Sequence, residues 1–167
     1  MTDIDGESSG RIIRRINFKF PVCYGDGHIA RLVNEGFFAD GGRIRGVPVT
    51  IGGSSYVPPL PNELEIKDTI SEITQEKGDA IHIAIELCLY CMKTQIFLDG
   101  NKRASVIFAN HYLISHGGGF LVIPEKEVPE FKRLLVKFYE GEAVCVITAF
   151  MKDRCWKTIQ REKDQYE

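Results

Sequence analysis

Residues 92–106 read Met-Lys-Thr-Gln-Ile-Phe-Leu-Asp-Gly-Asn-Lys-Arg-Ala-Ser-Val and join two long apolar stretches, residues 81–92 and 104–114. Both stretches are apolar on almost every side, which is typical of helices at the centre of a bundle. Asp99-Gly100-Asn101 interrupts them with a sharp turn. We therefore expect two central helices that pack together and hold the loop between them.

The turn is followed directly by two basic residues, Lys102 and Arg103. Asn101 stands where the N-cap of the second helix is expected. A helix N-terminus presents unpaired N–H groups and the positive end of the helix dipole, and the Asp99 carboxylate could hold a divalent cation. This grouping is typical of a site for a phosphate chain and its metal. The alternative is an ordinary helix–helix turn followed by solvated basic residues.

Residues 95–103 resemble the signature of the Fic/Doc (Fido) family, His-x-Phe-x-(Asp/Glu)-Gly-Asn-(Gly/Lys)-Arg, except that Gln95 stands where the family has its catalytic His. A second block, residues 42–59, reads Gly-Arg-Ile-Arg-Gly-Val-Pro-Val-Thr-Ile-Gly-Gly-Ser-Ser-Tyr-Val-Pro-Pro. It is similar to the β-hairpin flap of Fic proteins and the Pro-rich turn that follows. The two motifs occur in the family's order, and the resemblance runs from about residue 28 to residue 156.

The resemblance implies a mainly α fold, a Fic-fold helical bundle with a small β-hairpin flap at about residues 46–57. In the family, the usual reaction moves AMP from ATP, with Mg²⁺, to a Ser, Thr or Tyr hydroxyl of a target protein. The Doc branch, which also carries Lys in this loop, transfers phosphate instead. The expected partners are therefore ATP, Mg²⁺ and a target protein, and the family adds an antitoxin or inhibitory partner as a further candidate.

The resemblance also assigns roles within the loop. It implies that Asp99 is a ligand of Mg²⁺ and that Gly100 and Asn101 offer N–H groups to a phosphate. Lys102 would be a point charge on the phosphates, and Arg103 would bind a phosphate bidentately as part of the catalytic site.

Three further roles lie outside the loop's charged part. We expect Phe97 to be a buried anchor. Asn110, on the second helix, is a candidate nucleotide-binding residue, with a solvent-facing polar residue as the alternative. The flap is expected to lend its backbone to an extended piece of the target, with a hairpin that caps the core as the alternative; its residues are Val49, Thr50, Ile51, Gly52 and Gly53.

Gln95 leaves the chemistry open, because an amide does not titrate near neutral pH and cannot serve as a general base. The protein could be a slow transferase that relies on positioning and charge, a binding relative that lost catalysis, or a variant engineered to trap a complex. Val106 stands where many adenylylating Fic proteins carry a second Arg, which leaves the transferred group open. Thr158 and Glu162 match only part of an inhibitory-helix motif of the family; a frayed C-terminus is the alternative to autoinhibition.

The composition excludes several classes of protein. The 167 residues are 44% apolar and 26% charged, which suits one globular domain. A formal net charge of −2 gives no reason to expect nucleic acid or an anionic membrane as a partner. No apolar run reaches the about 18 residues of a transmembrane helix. Residues 1–10 do not resemble a signal peptide, and we expect a cytoplasmic protein. The oligomeric state stays open.

The five cysteines include the pair Cys88-x-x-Cys91 within an apolar stretch. An odd number without an export signal favours reduced thiols. We expect this pair to be buried and structural, with a metal or redox pair as the alternative.

Along the chain, we expect a flexible or extended segment at residues 1–20, one Fic-like domain at 21–157 and a charged tail at 158–167. Apolar periodicity and capping residues predict helices at residues 27–38, 62–76, 79–94, 102–116 and 143–156, and one opened by Pro124 and Pro129. Two short strands are expected at residues 46–56, with a turn at 52–55 and Pro48 on an exposed edge.

Overall fold

The computed structural model describes residues 43–158, which contain five α-helices and two short β-strands. The mainly α fold expected from the sequence is confirmed. A 3₁₀ turn leads into the fourth helix and a π-helical turn follows the fifth. The elements are α1 (Glu63–Gln75), α2 (Ala80–Thr94), α3 (Asn101–Ser115), β1 (Phe120–Leu121), the 3₁₀ turn (Glu125–Glu127), α4 (Val128–Tyr139), α5 (Val144–Phe150), the π turn (Met151–Cys155) and β2 (Trp156–Lys157).

Helices α2 and α3 pack against each other along their length and form the centre of the bundle, as predicted. Most of α2 is buried, since the helix carries apolar residues on nearly every face. Its Cys88 and Cys91 are buried, as expected, and form no disulfide with each other. Burial raises the pKa of the Cys88 thiol to about 12.

The first two helices begin where the sequence indicates. The Asn62 side chain accepts hydrogen bonds from the N–H groups of Leu64 and Glu65 at the start of α1. The Asp79 carboxylate accepts one from Ile81 at the start of α2. Each bond satisfies a first-turn N–H group that has no partner within its helix.

The predicted helix at residues 143–156 is present, but its last part is a π turn rather than an α-helix. Helix α5 ends at Phe150, and after the π turn β2 pairs antiparallel with β1. Gly119 permits this pairing, because it has a φ of 87° and a Cβ there would collide with the Lys157 carbonyl oxygen. The Trp156 indole N–H donates to the Gly118 carbonyl at 2.7 Å and fixes the same junction.

The flap, residues 46–57, is not the predicted hairpin. It is an extended segment without regular strands, and the two-stranded sheet lies at the other end of the described chain. A turn at residues 52–53 is present as expected, closed by a hydrogen bond from the Ser54 N–H to the Ile51 carbonyl at 3.1 Å. Ile51 is buried in the core, whereas Val47 is 52% exposed. Side chains from outside the flap bind its backbone, so it needs no partner strand.

Some predictions fall on residues that the structure does not describe. These are the segment at residues 1–20, the helix at 27–38 and the tail after residue 158. Within residues 43–158, no helix has both the length and the apolar character needed to cross a lipid bilayer.

Candidate functional site

The flap and the loop between α2 and α3 line one cleft of about 400 Å³. We call residues 95–103 the anion loop. The flap supplies residues 49–52, and the anion loop supplies Gln95 and residues 98–103. Two segments more than forty residues apart in sequence therefore meet at one cavity.

The positive wall of the cleft is the start of α3. Gly100 precedes the helix with a φ of 76°, a conformation that glycine adopts with little strain. The first-turn N–H groups of α3 have no acceptors within the helix and lie at the positive end of its dipole. Lys102 and Arg103 are exposed in the same turn. Backbone donors and two cationic side chains thus face one cavity.

Asn101 is not the N-cap of α3, so that prediction is wrong. Gly100 holds the N-cap position, and Asn101 is the first helical residue, with its side chain buried. Its amide group accepts a hydrogen bond from the Phe97 N–H at 2.9 Å and donates to the Phe97 carbonyl at 2.7 Å. It also donates to the Gln95 side-chain oxygen at 3.2 Å. Asn101 therefore shapes the anion loop from inside, and Phe97 is the buried anchor that was expected.

Gln95 ends α2 in the left-handed conformation, with φ 50° and ψ 59°. It is the only non-glycine residue of the described range with positive φ. Its side-chain nitrogen donates to the Met92 carbonyl at 2.5 Å, and its oxygen accepts from Asn101. Gln95 lines the cleft, but both ends of its amide are engaged by neighbouring groups. Each polar atom of the amide thus makes a bond within the protein, and an amide cannot take the proton of a hydroxyl.

The Tyr139 hydroxyl lies behind Gln95. It is buried and makes no hydrogen bond of acceptable geometry within the described residues. Burial is the main reason that its pKa is raised, and the nearby Gln95 amide acts in the opposite direction. Tyr139 does not line the cleft, and the raised pKa keeps its phenol neutral near neutral pH.

Asp99 and Arg103 face each other across one turn. The Arg103 Nη2 atom lies 3.8 Å from the Asp99 Oδ2 atom, and both side chains are more than half exposed. An exposed contact of this length is weak, and a phosphate could compete for the guanidinium.

The described residues contain no group of three or more potential metal-ligating side chains. A cation at Asp99 would take most of its ligands from phosphate oxygens and water, which is how Mg²⁺ is usually held. The single carboxylate therefore fits a magnesium ion that arrives with a nucleotide.

Asn110 lies elsewhere in the fold. Its side-chain nitrogen donates to the Leu121 carbonyl at 2.7 Å, and its oxygen accepts from the Leu121 N–H at 2.5 Å. It is not among the residues that line the cleft. The side chain secures β1 against α3, and we leave it out of the site.

Sequence reasoning missed Arg45, which is only 3% exposed. Its guanidinium donates to carbonyl oxygens at both ends of the flap and at the end of α2. In the sequence, Arg45 is one position of the flap motif. A basic residue before a turn gives no local sign that its side chain is buried.

Glu140, directly after α4, was missed as well. Its Oε1 atom accepts hydrogen bonds from the Ser55 N–H at 2.9 Å and from the hydroxyls of Ser54 and Ser55 at 3.1 and 3.2 Å. These bonds lower the pKa of Glu140, the Ser55 N–H being the largest cause. The flap is therefore bound at its base by Arg45 and beyond its turn by Glu140.

Comparison with protein-family models matches residues 25–113 to the model described as Fic/DOC family. The match covers more than half of the chain and includes Arg45, the flap and the whole anion loop. A comparison with curated proteins found no match.

Proposed function

Since the chain belongs to the Fic/DOC family, we propose that it transfers AMP from ATP to a Ser, Thr or Tyr hydroxyl of a target protein, at a reduced rate. The observation that carries the proposal is the shared cleft. One wall offers backbone N–H groups and two cations, and the other offers an extended segment of chain.

The phosphates of the nucleotide would lie against the first turn of α3. The N–H groups there donate to phosphate oxygens, and Lys102 and Arg103 supply two positive charges. Asp99 would hold Mg²⁺, which neutralises charge on the phosphate oxygens when it is bound. Because Arg103 can donate two parallel hydrogen bonds, it would also fix the orientation of the phosphate.

The target would lie along the flap. Thr50 and Gly52 are exposed at the cleft, while buried Ile51 anchors the segment to the core. An extended peptide can add to such a segment through main-chain hydrogen bonds, which would bring its hydroxyl to the phosphates.

The reduced rate follows from Gln95. A positioned general base contributes about 10²–10⁴-fold to a transfer of this kind. The Gln95 amide cannot take a proton, and Met92 and Asn101 engage its polar atoms. Positioning and electrostatic stabilisation would remain as the sources of rate.

The engaged Gln95 amide also favours a second function, a Fic-fold module that binds nucleotide or a partner peptide without turnover. Such a module would keep Arg103 and the cleft but need no base. Phosphate transfer, as in the Doc branch, is a third candidate function. Its only support is Lys102, the residue type that the Doc branch also carries in this loop.

Labelled ATP separates these functions. The wild type, Gln95→His and Arg103→Ala would each be incubated with Mg²⁺, cell lysate and ATP labelled at either the α- or the γ-phosphate. We expect weak transfer of the α-label by the wild type, faster transfer by Gln95→His and only background labelling with Arg103→Ala. Transfer of the γ-label above that background would instead indicate phosphotransfer.

Calorimetry completes the test. ATP–Mg²⁺ binding that Arg103→Ala abolishes, without transfer by the wild type or Gln95→His, would support the binding module and overturn the transferase. The absence of nucleotide binding would reject the transferase and leave only the binding of a partner peptide or a scaffolding role at the flap.

A further inference from the structure

The Arg45 side chain contacts three parts of the site. Its Nε atom donates to the Gln95 carbonyl at 2.6 Å, and its Nη2 atom lies 3.4 Å from the Thr94 carbonyl, both at the end of α2. Its Nη1 atom donates to the Val47 carbonyl at 2.9 Å, where the flap begins. The guanidinium therefore joins the start of the anion loop to the start of the flap.

The same guanidinium also binds the chain where the flap ends. Its Nη2 atom lies 2.5 Å from the Pro59 carbonyl and 3.3 Å from the Pro58 carbonyl. The Arg45 N–H adds a backbone hydrogen bond to the Ile96 carbonyl at 3.0 Å. Both ends of the flap and the first residues of the anion loop are thus held at fixed distances from one group.

Each of these acceptors is a main-chain carbonyl, and none is a carboxylate. The last carbonyls of α2 have no partner within the helix and lie at the negative end of its dipole, which suits a buried cation. Burial lowers the pKa of Arg45, but a guanidinium stays charged in proteins. Five donors in a planar fork can serve several carbonyls at once, which the three donors of a lysine cannot reproduce.

We propose that Arg45 is a positioning residue that sets the width of the cleft by fixing the flap relative to the anion loop. Nucleotide phosphates bind the first turn of α3, which Arg45 does not touch, whereas the target binds the flap. Arg45 therefore governs affinity for the target more than affinity for the nucleotide. This last step rests on the proposed function, but the placement of the flap does not.

Hydrogen exchange tests the placement without any target or turnover. Among the flap amides that have hydrogen-bond partners, those of Ser54 and Ser55 serve as probes. In Arg45→Gln we expect both to exchange about tenfold faster or more, because a bond to a charged group is lost at the base of the flap. The slowest amides of α2 and α3 exchange through global unfolding, which breaks the same bonds, and they should accelerate by no more than the flap amides. Arg45→Lys keeps the charge without the fork and should give a smaller acceleration.

The control is Arg43→Gln, which removes the same charge two residues upstream at an exposed position. It should leave the exchange of both flap amides unchanged. Acceleration of the core amides without acceleration of the flap amides in Arg45→Gln would show that flap opening leaves the Arg45 bonds intact and would overturn the proposal. Failure of both Arg45 variants to fold would overturn it as well.

Calorimetry and transfer assays then test the link to function. Arg45→Gln should bind ATP–Mg²⁺ with an affinity within about threefold of the wild type, since the α3 first turn is intact. Once a target is identified, its KM should rise while the KM for ATP stays constant. If transfer is never observed but the flap amides respond, the proposed function fails and the placement by Arg45 stands. If transfer occurs and the flap amides do not respond, the placement fails and the function stands.

Discussion

At the scale of single residues, the anion loop separates residues that shape the site from residues that face the ligand. Asn101 is buried and bonded to Phe97 and Gln95, whereas the neighbouring Lys102 is exposed. The motif places both in one run of sequence. Only the structure shows that the amide turns inward and the ammonium outward.

This division predicts opposite effects for two neighbouring substitutions. Asn101→Ala leaves the buried Phe97 N–H and carbonyl without partners and should lower the free energy of unfolding by about 1–3 kcal/mol. Lys102→Ala should change it by less than about 0.5 kcal/mol, as is usual at exposed positions, yet weaken the binding of ATP–Mg²⁺. Urea denaturation and calorimetry on both variants measure the two quantities. Equal destabilisation by the two substitutions would contradict the assignment.

Gln95 shows how much a sequence motif can establish about a single residue. The residue type alone establishes that no titrating base stands at the motif's first position. It does not reveal that the backbone is left-handed or that Met92 and Asn101 bind the amide, because those contacts depend on how the chain leaves α2 and turns towards α3. The Asn101 N-cap prediction failed for a related reason, since Gly100 could take the cap position in a conformation that few other residues adopt.

At the scale of elements, the starts of α1 and α2 were predictable and the flap was not. Asn62 and Asp79 cap α1 and α2 through bonds that span two or three residues, so a local pattern contains the whole signal. The alternation of Val47, Val49 and Ile51 indicated a strand, but the backbone of the flap is bound by the side chains of distant residues. Periodicity carries no information about a carboxylate 85 residues away in sequence.

The Glu140 contact makes the flap sensitive to acid. Its pKa lies below the ordinary value of 4.5 because the carboxylate accepts bonds from Ser54 and Ser55. Because folding lowers the pKa of Glu140, its bonds to the flap stabilise the folded protein fully at a pH above the ordinary pKa. This stabilisation is lost as the pH falls through the lowered, folded-state pKa. We expect the Ser55 amide chemical shift to titrate with a midpoint below 4.5.

Glu140→Gln is the matched control for that titration. It keeps a side-chain oxygen but removes the ionising group, so the Ser55 shift should lose this transition. A midpoint at or above 4.5 in the wild type, or an unchanged titration in Glu140→Gln, would show that the carboxylate does not bind the flap in solution.

At the scale of the whole molecule, the core was the most predictable feature. The apolar stretches at residues 81–92 and 104–114 became the central helices because burial is decided by composition and periodicity, which the sequence displays directly. The helix predicted at 143–156 gives way to β2 at Trp156, where the chain pairs with β1. This pairing joins residues 35 and 37 positions apart and left no trace in the local pattern.

The buried thiols of this core predict a loss of stability at alkaline pH. Folding raises the pKa of Cys88 from 9.0 to about 12, and Cys155, also buried, is raised to about 11. Because folding raises these two pKa values, the contribution of the protonated thiols to stability is complete below pH 9.0. It declines as the pH rises towards the folded-state pKa values. Between these limits the unfolded chain has released protons that the folded chain retains. The free energy of unfolding should therefore fall by about 1.4 kcal/mol per pH unit for each thiol.

Urea denaturation under reducing conditions, repeated from pH 8 to pH 11, measures this slope. Other groups also titrate in that range, so the decisive quantity is a difference between variants. Cys88→Ala removes one buried thiol and should make the decline less steep by about 1.4 kcal/mol per pH unit above pH 9.5, whatever its own stability at neutral pH. Cys145→Ala is the control, because that thiol is already exposed in the folded protein, and it should leave the slope unchanged. If Cys88→Ala declined as steeply as the wild type, the Cys88 thiol would have to ionise in the folded state, and α2 could not occupy the dry centre of the bundle.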